Sequence, residues 1–161
     1  MTTISLKQRS RTDWLVVHCS ATRAAAMVRA SDIRAWHLSQ GWADIGYHYV
    51  ICRDGSVDPG RDESTVGSHV KGFNQASVGI CLVGGLDAAG KPENNFTPAQ
   101  FASLHRLLAE LKGRYPGATV RGHRDFSPDL DGNGRITPNE FSKACPCFDV
   151  AQWLAAHPLR C

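Results

Sequence analysis

The sequence predicts one α/β domain, a mixed central β-sheet flanked by helices, and three observations carry that expectation. Two short apolar runs, WLVVHC (14–19) and SVGICLVGG (77–85), have the length and β-branched content of interior strands. Two longer segments, 31–40 and 97–112, space their apolar residues to form one face of a helix. Strand-like and helix-like segments alternate along the chain, as they do where helices cover a sheet. At 161 residues and 42% hydrophobic content one core is sufficient, and residues 1–161 are read as one domain.

The elements follow in order. After the strand at 14–19, Ser31 is placed to cap a helix running through Gln40, with Ile33, Trp36 and His37 at helical spacing and Gly41 ending it. YHYVICRDGSVDPG alternates on either side of Asp54-Gly55, a hairpin signal, and Tyr47 is expected to begin its first strand after Gly46. Residues 77–85 supply the next interior strand. Thr97, Pro98 and Gln100 form a capping-box start for a helix to about Lys112, with Phe101, Leu104, Leu107, Leu108 and Leu111 as its buried stripe. A short strand in ATVRGH (118–123) follows, and DVAQWLAAH (149–157) closes the chain as a helix.

Charge and cysteine content narrow the function classes. A net charge of +3, from 18 Lys+Arg against 15 Asp+Glu, is too small and too scattered to argue for direct nucleic-acid binding; only Lys7, Arg9 and Arg11 make a local basic stretch. The start, MTTISLKQRS, lacks the apolar run of a signal peptide, and no stretch has the length of a membrane span. The expectation is a soluble monomer made in the cytosol, with no membrane insertion. In that setting the six cysteines read as reduced thiols, and at least one of them as a candidate metal ligand.

Two histidines hold equivalent places: His18 closes the first strand and His123 follows the short strand near 118–121. Strand ends are where sheets of this kind build sites. Downstream, KACPCFD (143–149) sets Cys145 before a proline that keeps the segment extended. Two imidazoles and a thiolate would hold zinc with a fourth position open to water, as catalytic zinc sites do. Taken singly, His18 is more often a satisfied core histidine and Cys145 more often a small buried hydrophobe.

A second constellation is DLDGNGRITPNE (129–140). It places Asp129, Asp131 and Asn133 at the first, third and fifth positions of a calcium loop and Gly134 at the sharp turn. The Arg135 carbonyl falls at the seventh position and Glu140 at the twelfth, where a carboxylate binds through both oxygens. The other reading is a polar Asp/Asn/Gly turn. Ser127-Pro128 stands where such a loop has an incoming helix, so modest affinity is expected, while Thr137 to Glu140 predict a short outgoing helix from Pro138 to about Lys143. A lone loop does not make a calcium sensor, since sensors use paired loops.

The stretches VHCSAT, IRAWH, DIGYHY, RDG, GRDE, VGSHVKG, SVGICLVGG, NFTPAQ and KACPCFD resemble the amidase-type lysozymes of T-odd coliphages. Those are zinc-dependent N-acetylmuramoyl-L-alanine amidases, distantly related to animal peptidoglycan recognition proteins. The resemblance runs from near residue 5 to about residue 153. It implies zinc ligands at His18, His123 and Cys145, catalytic roles at Tyr47 and Lys143, and a substrate-facing position at His69. Lys143, two residues before Cys145 on an extended segment, would reach the oxyanion formed on amide hydrolysis; Tyr47 would orient water or pass a proton. His37, His48, His105 and His157 read as structural. Cys147 is turned from the metal by alternation, and Cys19, Cys52 and Cys81 read as core residues.

The same resemblance implies a phage endolysin that cleaves peptidoglycan and depends on a holin to leave the host cytoplasm. It also implies a second partner, the phage's own RNA polymerase, touched through the ISLKQRSRTD start. A non-catalytic peptidoglycan-binding module is the alternative. Against the family pattern the segment 124–142 is longer, and the excess is the calcium loop. Its position between His123 and Lys143 suggests that calcium modulates activity by holding those ends.

Overall fold

The structure, a computed structural model, describes residues 6–159. Seven strands and three α-helices alternate: β1 (Trp14–Cys19), β2 (Thr22–Arg23), α1 (Ala30–Ser39), β3 (Tyr49–Ile51), β4 (Val57–Pro59), β5 (Ser77–Leu82), β6 (Gly85–Leu86), α2 (Pro98–Arg114), β7 (Thr119–Gly122) and α3 (Val150–Ala156). Five strands form the main sheet in the order β4-β3-β5-β1-β7. β1 runs parallel to β5 and β7, β3 runs parallel to β5, and β4 returns antiparallel to β3 through the Asp54-Gly55 turn, so the sheet is mixed as expected.

Alternation along β1 sends Leu15, Val17 and Cys19 to one face. There they meet Val78, Ile80 and Leu82 of β5, Leu104, Leu107, Leu108 and Leu111 of α2, and Phe148 and Val150 at the start of α3. α1 covers the opposite face, with Ala30 and Ile33 against Val50, Cys81 and Val83. Phe101 is half-buried at the margin of the α2 stripe. Thr97 Oγ1 accepts from the Gln100 amide at 3.1 Å while Gln100 Oε1 accepts from the Thr97 amide at 2.9 Å, the reciprocal cap the sequence predicts.

Several boundaries differ from the sequence reading. α1 begins at Ala30, one residue before the expected cap. Arg29 stands at the cap, its amide donating to the carboxylate of Asp32 in the first turn at 2.8 Å, and Ser31 lies inside that turn. Tyr47 precedes β3, which starts at Tyr49. The outgoing helix expected from Pro138 to Lys143 is a single 3-10 turn, Pro138–Glu140, because Phe141 is already extended and the Ser142 amide turns to Ser127 Oγ at 3.0 Å. No sequence signal pointed to the small β2–β6 sheet.

Candidate active site

β1 delivers His18 to the α1 face, one residue before the strand's end, and the ring is buried. His123 opens the 3-10 turn His123–Phe126 directly after β7, the strand paired with β1. Cys145 reaches the same point from the far end of the insert: the Cys19 amide donates to its Sγ at 3.2 Å, and the Arg124 amide donates to its carbonyl at 2.9 Å. One ligand atom from each of His18, His123 and Cys145 lies within 4.8 Å of the others. That is close enough for one ion with bonds of ~2.0–2.3 Å to reach all three after small side-chain adjustment.

The protonation states suit a metal. Burial first, then the neighbouring imidazoles and the Lys143 ammonium, hold the His18 pKa well below its usual value. Burial and Lys143 push that of His123 down to about 4. Both rings are therefore neutral near pH 7 and keep a lone pair for a cation. His18 Nε2 lies 2.9 Å from His69 Nδ1, and His69 Nε2 lies 3.2 Å from Ser77 Oγ. A contact at one ring nitrogen fixes the tautomer and orientation of an imidazole that offers the other to a metal.

Beside this cluster lies an open groove of about 350 Å³, lined by His37, Trp42, Tyr47, His69, Lys71 and Lys143 among others. Buried Arg61 clamps its wall, donating to the carbonyls of Ile45 (2.9 Å), Val66 (2.8 Å) and Asp44 (3.2 Å), and so holds the loops that carry Tyr47 and His69. The Tyr47 and His18 rings are 5.1 Å apart, and burial raises the Tyr47 pKa well above its usual value, so the phenol stays protonated. His48 is structural, accepting the Gly79 amide at Nδ1 (2.9 Å) with Nε2 on the Thr65 carbonyl (2.8 Å).

The sequence profile of the N-acetylmuramoyl-L-alanine amidase family matches residues 8–147. This chain belongs to that family. It is 50% identical over 153 residues to the endolysin of Klebsiella phage KP32, covering 95% of this chain and 92% of that one. To the endolysin of Escherichia phage T7 it is 48% identical over 153 residues, with the same coverage. In fold it is similar to the N-acetylmuramoyl-L-alanine amidase LysC from Clostridium intestinale, with a TM-score of 0.76 at 25% identity, over 98% of this chain and 93% of that one.

Within this amidase-family domain, His18, His123 and Cys145 meet, and Tyr47 and Lys143 stand on the adjoining groove. Cys147 points elsewhere, its Sγ 3.9 Å from Cys19 Sγ and 3.4 Å from the Gly85 carbonyl. His69, expected to face substrate, reaches the groove with only an edge: it is 8% exposed, and its ring nitrogens contact His18 and Ser77. His37, read as structural, accepts the Gly46 amide at Nδ1 (2.9 Å) and also lines the groove. Of the N-terminal segment expected to touch RNA polymerase, residues 1–5 lie outside the described residues. Arg9 is drawn inward, donating to the Thr65 carbonyl at 3.1 Å with its guanidinium 5.5 Å from the Tyr115 ring centre.

Sequence reasoning missed Gly79. On the α1 face of β5, a Cβ there would meet the His69 ring at 2.5–2.7 Å, so glycine is what lets that ring lie against the sheet and reach His18. Only a glycine inside a buried strand, where it weakens pairing and leaves room for a close neighbour, could have hinted at it. Gly79→Ala is expected to lower zinc affinity by ~10-fold or more through a displaced His69, as loss of an outer-shell partner does. Zinc content measured against a competing chelator checks this, with circular dichroism confirming that the sheet persists.

Proposed function

We propose that this chain is a phage endolysin that hydrolyses the amide between N-acetylmuramic acid and L-alanine in peptidoglycan, using one zinc ion held by His18, His123 and Cys145. The observation that carries the reading is the meeting of two neutral imidazoles and one thiol beside an open groove in an amidase-family domain. A bound zinc ion would supply Lewis acidity and make water a competent nucleophile at neutral pH.

The rest of the chemistry falls to side chains of this chain. Lys143 is exposed on the groove, and its charge is felt at both His18 and His123. An ammonium so placed stabilises negative charge developing on the carbonyl oxygen of the scissile amide. Tyr47, kept as a phenol, donates a hydrogen bond to the reacting groups or relays a proton from the attacking water to the departing amine, its hydroxyl regaining a proton as it gives one up. His69 orients His18. Lys71 and Lys143, with no Asp or Glu among the lining residues, suit the carboxylates of a peptide stem, and Trp42 offers an aromatic wall. In the same reading the insert at 129–140 modulates the domain, and release to the wall depends on a holin.

The test is product chemistry. Purified protein incubated with isolated peptidoglycan should release new L-alanine amino groups without new sugar reducing ends. Reducing ends without amino groups would overturn the amidase reading. Tight binding with neither product would favour the non-catalytic module.

A further inference from the structure

The groups Asp129, Asp131 and Glu140 converge outside the active site, each offering a carboxylate oxygen within 4.8 Å of the others. Acidic clusters are common on surfaces, and Asp129 and Asp131 are exposed. Glu140 is different. Its side chain is buried, with the residue 5% exposed, and neither carboxylate oxygen meets a hydrogen-bond partner among the described residues. A buried, unpartnered carboxylate is strongly destabilising unless something positive satisfies it. The capping box that Thr137 to Glu140 would otherwise make, with Glu140 reaching back to the Thr137 amide, is not formed. Glu140 instead turns into the acidic cluster with both oxygens available.

We propose that Asp129, Asp131 and Glu140, completed by Asn133 and the Arg135 carbonyl, bind one calcium ion, and that this ion secures the segment carrying Lys143. All-oxygen ligands exclude the softer metals that prefer nitrogen and sulfur. Two free oxygens on one buried carboxylate suit bidentate binding and a high coordination number, which favours calcium over the small, water-retaining magnesium ion. Asp129 Oδ2 accepts the Gly134 amide at 2.7 Å and Oδ1 the Gly132 amide at 3.0 Å, which fixes its carboxylate at the head of the loop. With the two aspartates exposed and Ser127-Pro128 in place of an incoming helix, the affinity belongs to the weak class of extracellular modules, ~10⁻⁴–10⁻³ M. A site of that strength stays empty at resting cytosolic calcium and fills outside the cell.

The route to the active site is short. Glu140 ends the 3-10 turn, Phe141 follows with its ring 4.6 Å from the Arg124 guanidinium, and Ser142 is tied to Ser127. Lys143 comes next, and Arg124 itself adjoins His123 and holds the Cys145 carbonyl. Without a cation, repulsion among three carboxylates and the uncompensated charge on Glu140 pull on the residues that fix this stem. The effect on turnover rests on the catalytic reading of Lys143; the binding does not.

The experiment is calorimetry and thermal melting of the full zinc-loaded chain with added calcium or magnesium, for wild type and Glu140→Gln, alongside turnover of isolated peptidoglycan. Wild type should bind one calcium per chain, and calcium at ~100 times its dissociation constant should raise Tm by roughly 5–10 °C. Glu140→Gln, which removes the buried charge with little change in shape, should melt no lower than calcium-free wild type and should not respond to calcium. No binding by ~10 mM calcium, an equal response to magnesium, or wild-type binding by Glu140→Gln would overturn the site. Calcium should also raise kcat several-fold; binding with unchanged kcat overturns the link to Lys143. A chain that binds calcium yet releases no amino groups sinks the amidase reading and leaves the calcium site standing.

Discussion

Cys145→Ser is expected to abolish peptidoglycan turnover and, on the proposed zinc site, to take the zinc content of purified protein from about one ion per chain towards none. The thiol is the only one of the three proposed ligands that brings a negative charge, and a serine hydroxyl of similar size does not ionise near neutral pH. His18 and His123 would be left as two neutral rings, too few for a stable site. Cys147 is poorly placed to substitute, because its sulfur lies beside Cys19 and the Gly85 carbonyl. Metal analysis together with an amino-group release assay checks the prediction, and full activity in Cys145→Ser would remove the thiol from the ligand set.

Lys143→Ala is expected to lower kcat by ~100-fold or more, to change KM far less and to leave the proposed zinc site occupied. The ammonium sits on the groove beside the His18–His123–Cys145 cluster, where an interaction made mainly in the transition state belongs. A hundredfold loss corresponds to ~2.7 kcal/mol, the size found when one oxyanion donor is removed. If KM rose and kcat held, Lys143 would be a substrate-binding residue. Unchanged kinetics would take it out of the mechanism altogether.

The interior of the fold was legible because its signals are local. The β1 and β5 runs, the Asp54-Gly55 turn and the Thr97/Gln100 cap each declare an element within a few residues, and the structure places all four there, although β5 ends at Leu82 rather than Gly85 because Gly84 and Gly85 turn the chain at positive φ into β6. Helix ends set by distant partners were harder: the start of α1 depends on Asp32 and on Asp58, which accepts the Ala30 amide from 28 residues away at 3.2 Å. The 3-10 turn at Pro138–Glu140 stops short because Ser142 pairs with Ser127 across the neck of the insert, a contact no periodicity encodes.

The candidate site divides in the same way. His18 and His123 could be picked out as strand-end histidines, yet the ligand set and the roles of Tyr47 and Lys143 came from family resemblance, since spacing alone left them as ordinary core or surface residues. The His18–His69–Ser77 chain and the glycine that makes room for it join three segments that meet only in the folded sheet. Glu140 was legible as a loop position; its burial without a partner was not.

Metal titration tests the central claim most directly. Protein stripped of metal by a chelator, freed of the chelator and titrated with zinc should regain the release of L-alanine amino groups linearly and reach a plateau at about one zinc per chain. Full turnover by the stripped protein before any zinc is added would contradict the account.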